Sequence, residues 1–275
     1  MRLLINSTFL VLLFTQSLYA QLEEAPAPAA KKGLHGTFFV NWGYHRDFYT
    51  NSTIRFLDRQ TGNYDFTFYH AKAKDQPDLD HFFKTAPTVP QYVISAGYFF
   101  NDKHDLGIEI SWNHLKYVVR DNQVLHMKGW IDDQYYDRDT LVTPDFVHLE
   151  HTNGNNYLMI SLLKRYTLKT SKNQKHKLSA VARLGGGALV PKTDSYIMGK
   201  HNDGPFRFSG WVIGTGAAIH YDFFEYFFIE PSIKESFAKY TDVKLYERGR
   251  AQHHFFSTQI ILSAGFNIPT RRQHS

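Results

Sequence analysis

From residue 34 onward, apolar side chains recur at every second position in one segment after another. The clearest case is residues 256–268. One row reads Phe256, Thr258, Ile260, Leu262, Ala264, Phe266 and Ile268; the other reads Ser257, Gln259, Ile261, Ser263, Gly265 and Asn267. Successive side chains of a strand point to opposite faces, so the segment predicts one strand with an oily face and a wet face. Its 13 residues exceed the usual length of roughly 5–6 for a globular strand. The same alternation opens the series, with Leu34, Gly36, Phe38, Val40, Trp42 and Tyr44 on one row against His35, Thr37, Phe39, Asn41, Gly43 and His45. It returns as Tyr92, Ile94, Ala96, Tyr98 and Phe100, and as Leu106, Ile108, Ile110 and Trp112 opposite Gly107, Glu109, Ser111 and Asn113. Asn156, Leu158, Ile160 and Leu162 make another row, Leu178, Ala180, Ala182 and Leu184 the next, then Trp211, Ile213, Ala217, Ile219 and Tyr221, then Phe227, Ile229, Pro231 and Ile233.

These rows predict eight strands, over residues 34–46, 91–100, 105–117, 155–165, 178–190, 208–221, 226–239 and 254–268. The connections alternate in length. Those near 101–104, 167–177 and 222–225 are short; those at 46–89, 120–154, 191–205 and 240–250 are long and polar. An even number of alternating strands with short turns at one end and long loops at the other is the pattern of an antiparallel up-and-down transmembrane β-barrel. A hairpin at 53–57 and 64–72, around Thr61-Gly62-Asn63, would raise the count to ten if it joined the wall. Eight is preferred, because that hairpin is short and polar.

Composition alters this picture at the N-terminus. Arg2, the mainly apolar run from Leu3 to Phe14, and a cleavage site ending at Ala20 form the pattern of a secretory signal peptide over 1–20. Residues 21–33, with Ala25-Pro26-Ala27-Pro28, read as a disordered leader, 34–268 as the barrel and 269–275 as a C-terminal tail. The chain has no cysteine, so an exported fold must hold itself by sheet closure rather than disulfides. Tyr and Phe number 17 and 23, which fits aromatic girdles at two membrane surfaces and also fits any strand-rich protein. The formal charge of +5 suits lipopolysaccharide phosphates better than nucleic acid, for which no binding motif is present.

The alternation over 34–268, the loop asymmetry and the terminal strand resemble the small outer-membrane β-barrel proteins of Gram-negative bacteria. The resemblance implies location in the cell outer membrane, contact with outer-membrane lipid and lipopolysaccharide, and insertion by the barrel assembly machinery. Phe266 would stand where that class places a terminal aromatic as assembly signal, although Asn267 to Ser275 follow it. The class includes enzymes, adhesins, porin-like channels and anchors, so fold alone does not name a function.

Candidate chemistry is sparse. His148, Glu150 and His151 lie where the 120–154 connection enters a strand. Lipid A 3-O-deacylases of this barrel class carry a His-x-Ser-Asn element. Here His151-Thr152-Asn153 has no Ser two residues after the His, and Ser161 is too far along an extended strand to be activated. A hydrogen-bonding loop-to-strand junction is the expected role. Asp132, Asp133, Asp137, Asp139 and Asp145 match no calcium-loop template and are expected to be a solvated acidic loop. His253-His254 is expected to be a polar strand end, and neither a metal nor a cofactor is expected. Glu109, Arg183, Glu230 and Lys234 fall on inward rows, where they would form either a charged constriction or an ion-paired plug; the narrow bore of eight strands favours the plug. The expected function is therefore non-enzymatic, a structural or surface-interaction role through long loops. The alternatives are a lipid A acyl hydrolase around His151 and a narrow channel for small solutes.

Overall fold

The computed structural model describes residues 34–77, 90–100 and 104–271. The expected signal peptide and leader lie outside the described residues, as do 272–275 of the expected tail. The described residues form fifteen strands: β1 (Leu34–Tyr49), β2 (Ser52–Asp58), β3 (Tyr64–Ala71), β4 (Ala73–Lys74), β5 (Tyr92–Phe100), β6 (Leu106–Val119), β7 (Gln123–Ile131), β8 (Gln134–Val142), β9 (Val147–Thr170), β10 (His176–Pro191), β11 (Asp194–Ile197), β12 (Lys200–Asp203), β13 (Gly210–Phe223), β14 (Phe227–Lys244) and β15 (Arg250–Arg271).

Eight of them make a closed antiparallel ring in the order β1-β5-β6-β9-β10-β13-β14-β15, and β15 pairs back onto β1 from Tyr49↔Ser257 to Leu34↔Arg271. The fold is a transmembrane β-barrel of eight strands. Its oily rows face out: Trp42, Ile110, Ile229 and Leu262 expose 47, 65, 37 and 62% of their surface, where a sandwich core would bury all four. Aromatic pairs mark both edges of the belt. Trp211–Phe237 and Phe237–Phe256 stand at one edge, Phe38–Tyr98 and Phe227–Phe266 at the other. On β14, Phe227 and Phe237 are ten residues apart, which at about 3.3 Å per residue and a tilt of about 40° spans roughly 25 Å, the height of an outer-membrane apolar band.

The expected hairpin forms, as β2 and β3, and stays out of the wall, so the count is eight: β1 breaks at Thr50 and Asn51, and β2 then continues along the upper part of β15, from His254↔Thr53 to Arg250↔Leu57. Two expectations need correction. Residues 120–154 and 191–205 are not loops. They hold β7 and β8, the first residues of β9, and the small β11–β12 hairpin. Their polarity misleads because cross-strand charge pairs such as Lys128–Asp137 and His126–Asp139 stabilise polar strands. Finally, Pro269 to Arg271, placed in the tail by sequence, extend β15, and Thr270 Oγ1 donates to the Gly36 carbonyl at 3.0 Å.

The wall thus continues past the apolar belt at the long-connection end, as a crown of sheet. β3 pairs β7 and β7 pairs β8 on one side; β9 pairs β6 and β11 on the other. The largest buried cluster sits inside this crown and includes Phe56, Phe66, Phe68, Leu149, Val147, Met127 and Leu245. A smaller one, of Phe39, Phe99, Leu163, Val181, Ala218 and Phe228, fills the barrel near the short-turn end.

Candidate functional site

From the level of the smaller cluster up to the crown, the interior is polar and layered. Lowest is a linked row: Asn267 donates to Asp222 at 2.6 Å, Asp222 pairs His220 at 3.0 Å, and His220 pairs Glu230 at 2.8 Å. Arg183 then spans the bore, 2.6 Å from Glu230 and 3.4 Å from Glu109. Ser95 Oγ, with one proton to give, lies 2.7 Å from Asn41 Oδ1 and 3.2 Å from a Glu109 carboxylate oxygen. One storey higher, Gln91 donates to Asp47 at 2.5 Å and His45 sits 3.0 Å from the same carboxylate. Above that lies a layer of stacked rings. Tyr117 stacks on Phe255 with centroids 4.5 Å apart, Tyr240 on His253 at 4.4 Å, and His151 on Tyr240 at 5.3 Å.

All four charges expected on inward rows point into the barrel. The structure brings Arg183, Glu109 and Glu230 together, whereas Lys234 reaches the side-chain oxygen of Asn113 at 3.1 Å instead. The cavity beside Arg183 and Lys234 measures about 40 Å³, room for roughly three waters. Gly214 and Gly216 line that space. A Cβ at Gly187 would lie 1.9 Å from the Leu158 carbonyl oxygen, so the walls of β9 and β10 approach as closely as backbone allows.

The cluster of His148, Glu150 and His151 is split by the strand that carries it. His148 and Glu150 point outward from the crown, and His151 points inward. His148 lies 2.8 Å from Asp121 and 3.3 Å from Glu150, while Thr152 donates to Glu150 at 2.6 Å. The Glu150 hydrogen bond, opposed by partial burial and aided by Asp121, raises the His148 imidazole to about 9. Burial drives His151 the other way, to about 3. His151 does have a hydroxyl partner, Thr193 Oγ1 at 3.0 Å from Nδ1, but both residues are buried inside the crown, out of reach of an acyl chain in the bilayer.

The other candidates are distributed. Asp132 and Asp133 occupy the β7–β8 turn with φ of 48° and 62°, left-handed positions that Asp tolerates. Asp137 and Asp139 flank His126 on the outer face of that hairpin. His253 is buried in the ring layer and His254 is exposed, as neighbours on a strand must be. Among the described residues no three His, Cys, Asp or Glu side chains converge as a metal site. Sequence reasoning missed His220, Asp222, Tyr117 and Tyr240. The first two share the inward row of β13 with Ala218, so alternation alone could have flagged them. The ring layer assembles residues from β6, β9, β14 and β15, which no single segment reveals.

A closed eight-stranded ring with an apolar exterior, aromatic edges and a filled bore defines the class of small outer-membrane β-barrels. No protein-family model matches the chain, and no curated protein matches its sequence. Among solved structures it is similar to OprG from Pseudomonas aeruginosa, at 9% identity over 86% of this chain and 98% of that one, with a TM-score of 0.37. It is similar too to Ail, the attachment invasion locus protein of Yersinia pestis, at 12% identity over 86% of this chain and all of that one (TM-score 0.34). Neisserial surface protein A matches at 11% identity over 86% and 99%, with a TM-score of 0.32.

Proposed function

We propose that this is an exported, non-enzymatic protein of the cell outer membrane that displays its sheet crown to the exterior. Its outward rows contact outer-membrane lipid and lipopolysaccharide, and the barrel assembly machinery inserts it. The observation that carries this reading is the stacking of three closures along one bore: the Phe39–Phe228 cluster, the Arg183 bridge and the apolar crown. Filled interiors suit a scaffold more than a conduit. The same filling argues against the small-solute channel, and the burial of the His151–Thr193 pair against the acyl hydrolase.

The absence of cysteine makes the test clean. Leu141→Cys, on the exposed face of β8, is expected to react with a membrane-impermeant maleimide in intact cells. Lys175→Cys, in the turn between β9 and β10, is expected to react only after the outer membrane is breached. The purified protein in planar bilayers is expected to be electrically silent. Regular conductance steps, or labelling of Lys175→Cys in intact cells, would overturn the reading.

A further inference from the structure

One place in the apolar belt breaks its own rule. The outward rows of β13, β14 and β15 carry Thr215, Glu235 and Thr258, and the register sets these three side by side, Thr215↔Glu235↔Thr258. Ile213, Ile233 and Ile260, all about half exposed, surround them on the same strands. Phe237 and Phe256 lie two positions above, so at the same tilt Glu235 is about 5 Å inside the aromatic edge. A carboxyl group on a lipid-facing row is costly and is retained where something other than acyl chain meets it.

The hydroxyls beside it leave the carboxyl underused. Thr258 Oγ1 lies 2.8 and 2.9 Å from the two carboxyl oxygens but has a single proton to give. Thr215 Oγ1 turns away, donating to the Arg183 carbonyl at 3.0 Å. Of the adjoining outward positions, Ala182, Gly186 and Ala217 are small, while Leu184, paired with Thr215, is large and exposed and offers apolar contact beside the polar patch. We infer that the Thr215–Glu235–Thr258 patch is a contact surface between two copies of this chain inside the membrane. A protonated carboxyl is donor and acceptor at once, and a two-fold axis sets each group opposite its own copy. That self-complementarity selects a second copy over a partner bearing a fixed cation.

Single cysteines in the full mature chain, reconstituted in lipid vesicles, test this. Ile233→Cys, beside Glu235, is expected to form a disulfide-linked dimer on mild oxidation, and Leu162→Cys, on a wall strand three places away in the ring, is not. Adding Glu235→Leu to Ile233→Cys is expected to lower the dimer about tenfold, the effect of losing one well-formed hydrogen-bonded contact. Glu235→Gln, which keeps a donor and an acceptor, is expected to retain it. Heat-modifiable gel migration checks that every variant is folded. Equal cross-linking from Ile233→Cys and Leu162→Cys, an undiminished dimer in Glu235→Leu, or capture of a different protein at Ile233→Cys in cells would overturn the assignment. A folded, electrically silent monomer would do so as well, while leaving the scaffold reading intact.

Discussion

At the scale of single residues, the interior charges are interdependent. Arg183 is the common partner of Glu109 and Glu230, so replacing it takes the guanidinium from two carboxylates in a low-dielectric bore and leaves Glu230 with His220 and Glu109 with Ser95. Arg183→Met is expected to cost roughly 3–5 kcal/mol in urea unfolding from lipid vesicles, and adding Glu109→Gln and Glu230→Gln should recover most of that loss. The crown histidines give opposite pH dependences. His148 is held at about 9 in the folded chain, against about 6.5 unfolded. Its contribution is therefore complete below about pH 6.5 and lost as pH rises through 9. It is faced by Asp121 from the β6–β7 connection, Glu150 from its own strand and Tyr196 from β11. His151, held at about 3, contributes fully above about pH 6.5 and loses that contribution as pH falls toward 3. Its neighbours are His253, Tyr117, Tyr240 and Thr193, with Glu150 adjacent in the chain. Nuclear magnetic resonance titration should find His148 still protonated at pH 8 and His151 neutral at pH 5. The reverse order would show that the two are not placed as described.

At the scale of elements, the crown hangs on a few close backbone approaches. Gly129 of β7 has φ of +139°, and a Cβ there would lie 2.3 Å from the Asp65 carbonyl oxygen and 2.5 Å from the Phe66 Cα on β3. Gly129→Val is therefore expected to detach the β7–β8 hairpin from β3, since both the dihedral and the space demand glycine. Hydrogen exchange should quicken across residues 123–142 while the wall strands keep their protection. Uniform loss of protection would mean that crown and wall form one cooperative unit. The wall strands were legible in the sequence because lipid on one side and a packed bore on the other enforce strict alternation. Leu262, Ser263, Ala264 and Gly265 declare their faces one by one. The crown strands were not legible, because water on their outer face accepts charge, and Asp137, Asp139 and Lys128 look like loop residues until their cross-strand partners are known.

At the scale of the whole molecule, the three closures act in series, so removing one should not open the barrel. Arg183→Ala alone is expected to leave planar bilayers silent, because the Tyr117–Phe255 and Tyr240–His253 stacks still fill the bore above it. Conductance is expected only if Tyr117→Ala and Tyr240→Ala are combined with it and the Phe39–Phe228 cluster is also thinned. Conductance in Arg183→Ala alone would show that the ring layer does not seal. The sequence by itself determined the eight wall strands, their inward and outward rows and the side of the wall on which Arg183, Glu109, Glu230 and Lys234 stand, because a period of two is a local property. Only the tertiary structure decided that β2 leaves the wall to build a crown, that His148 and His151 part to opposite faces of it, and that Arg183 joins Glu109 and Glu230 while Lys234 does not. Those outcomes depend on register between strands distant in sequence, and register is set by ring closure rather than by any one segment.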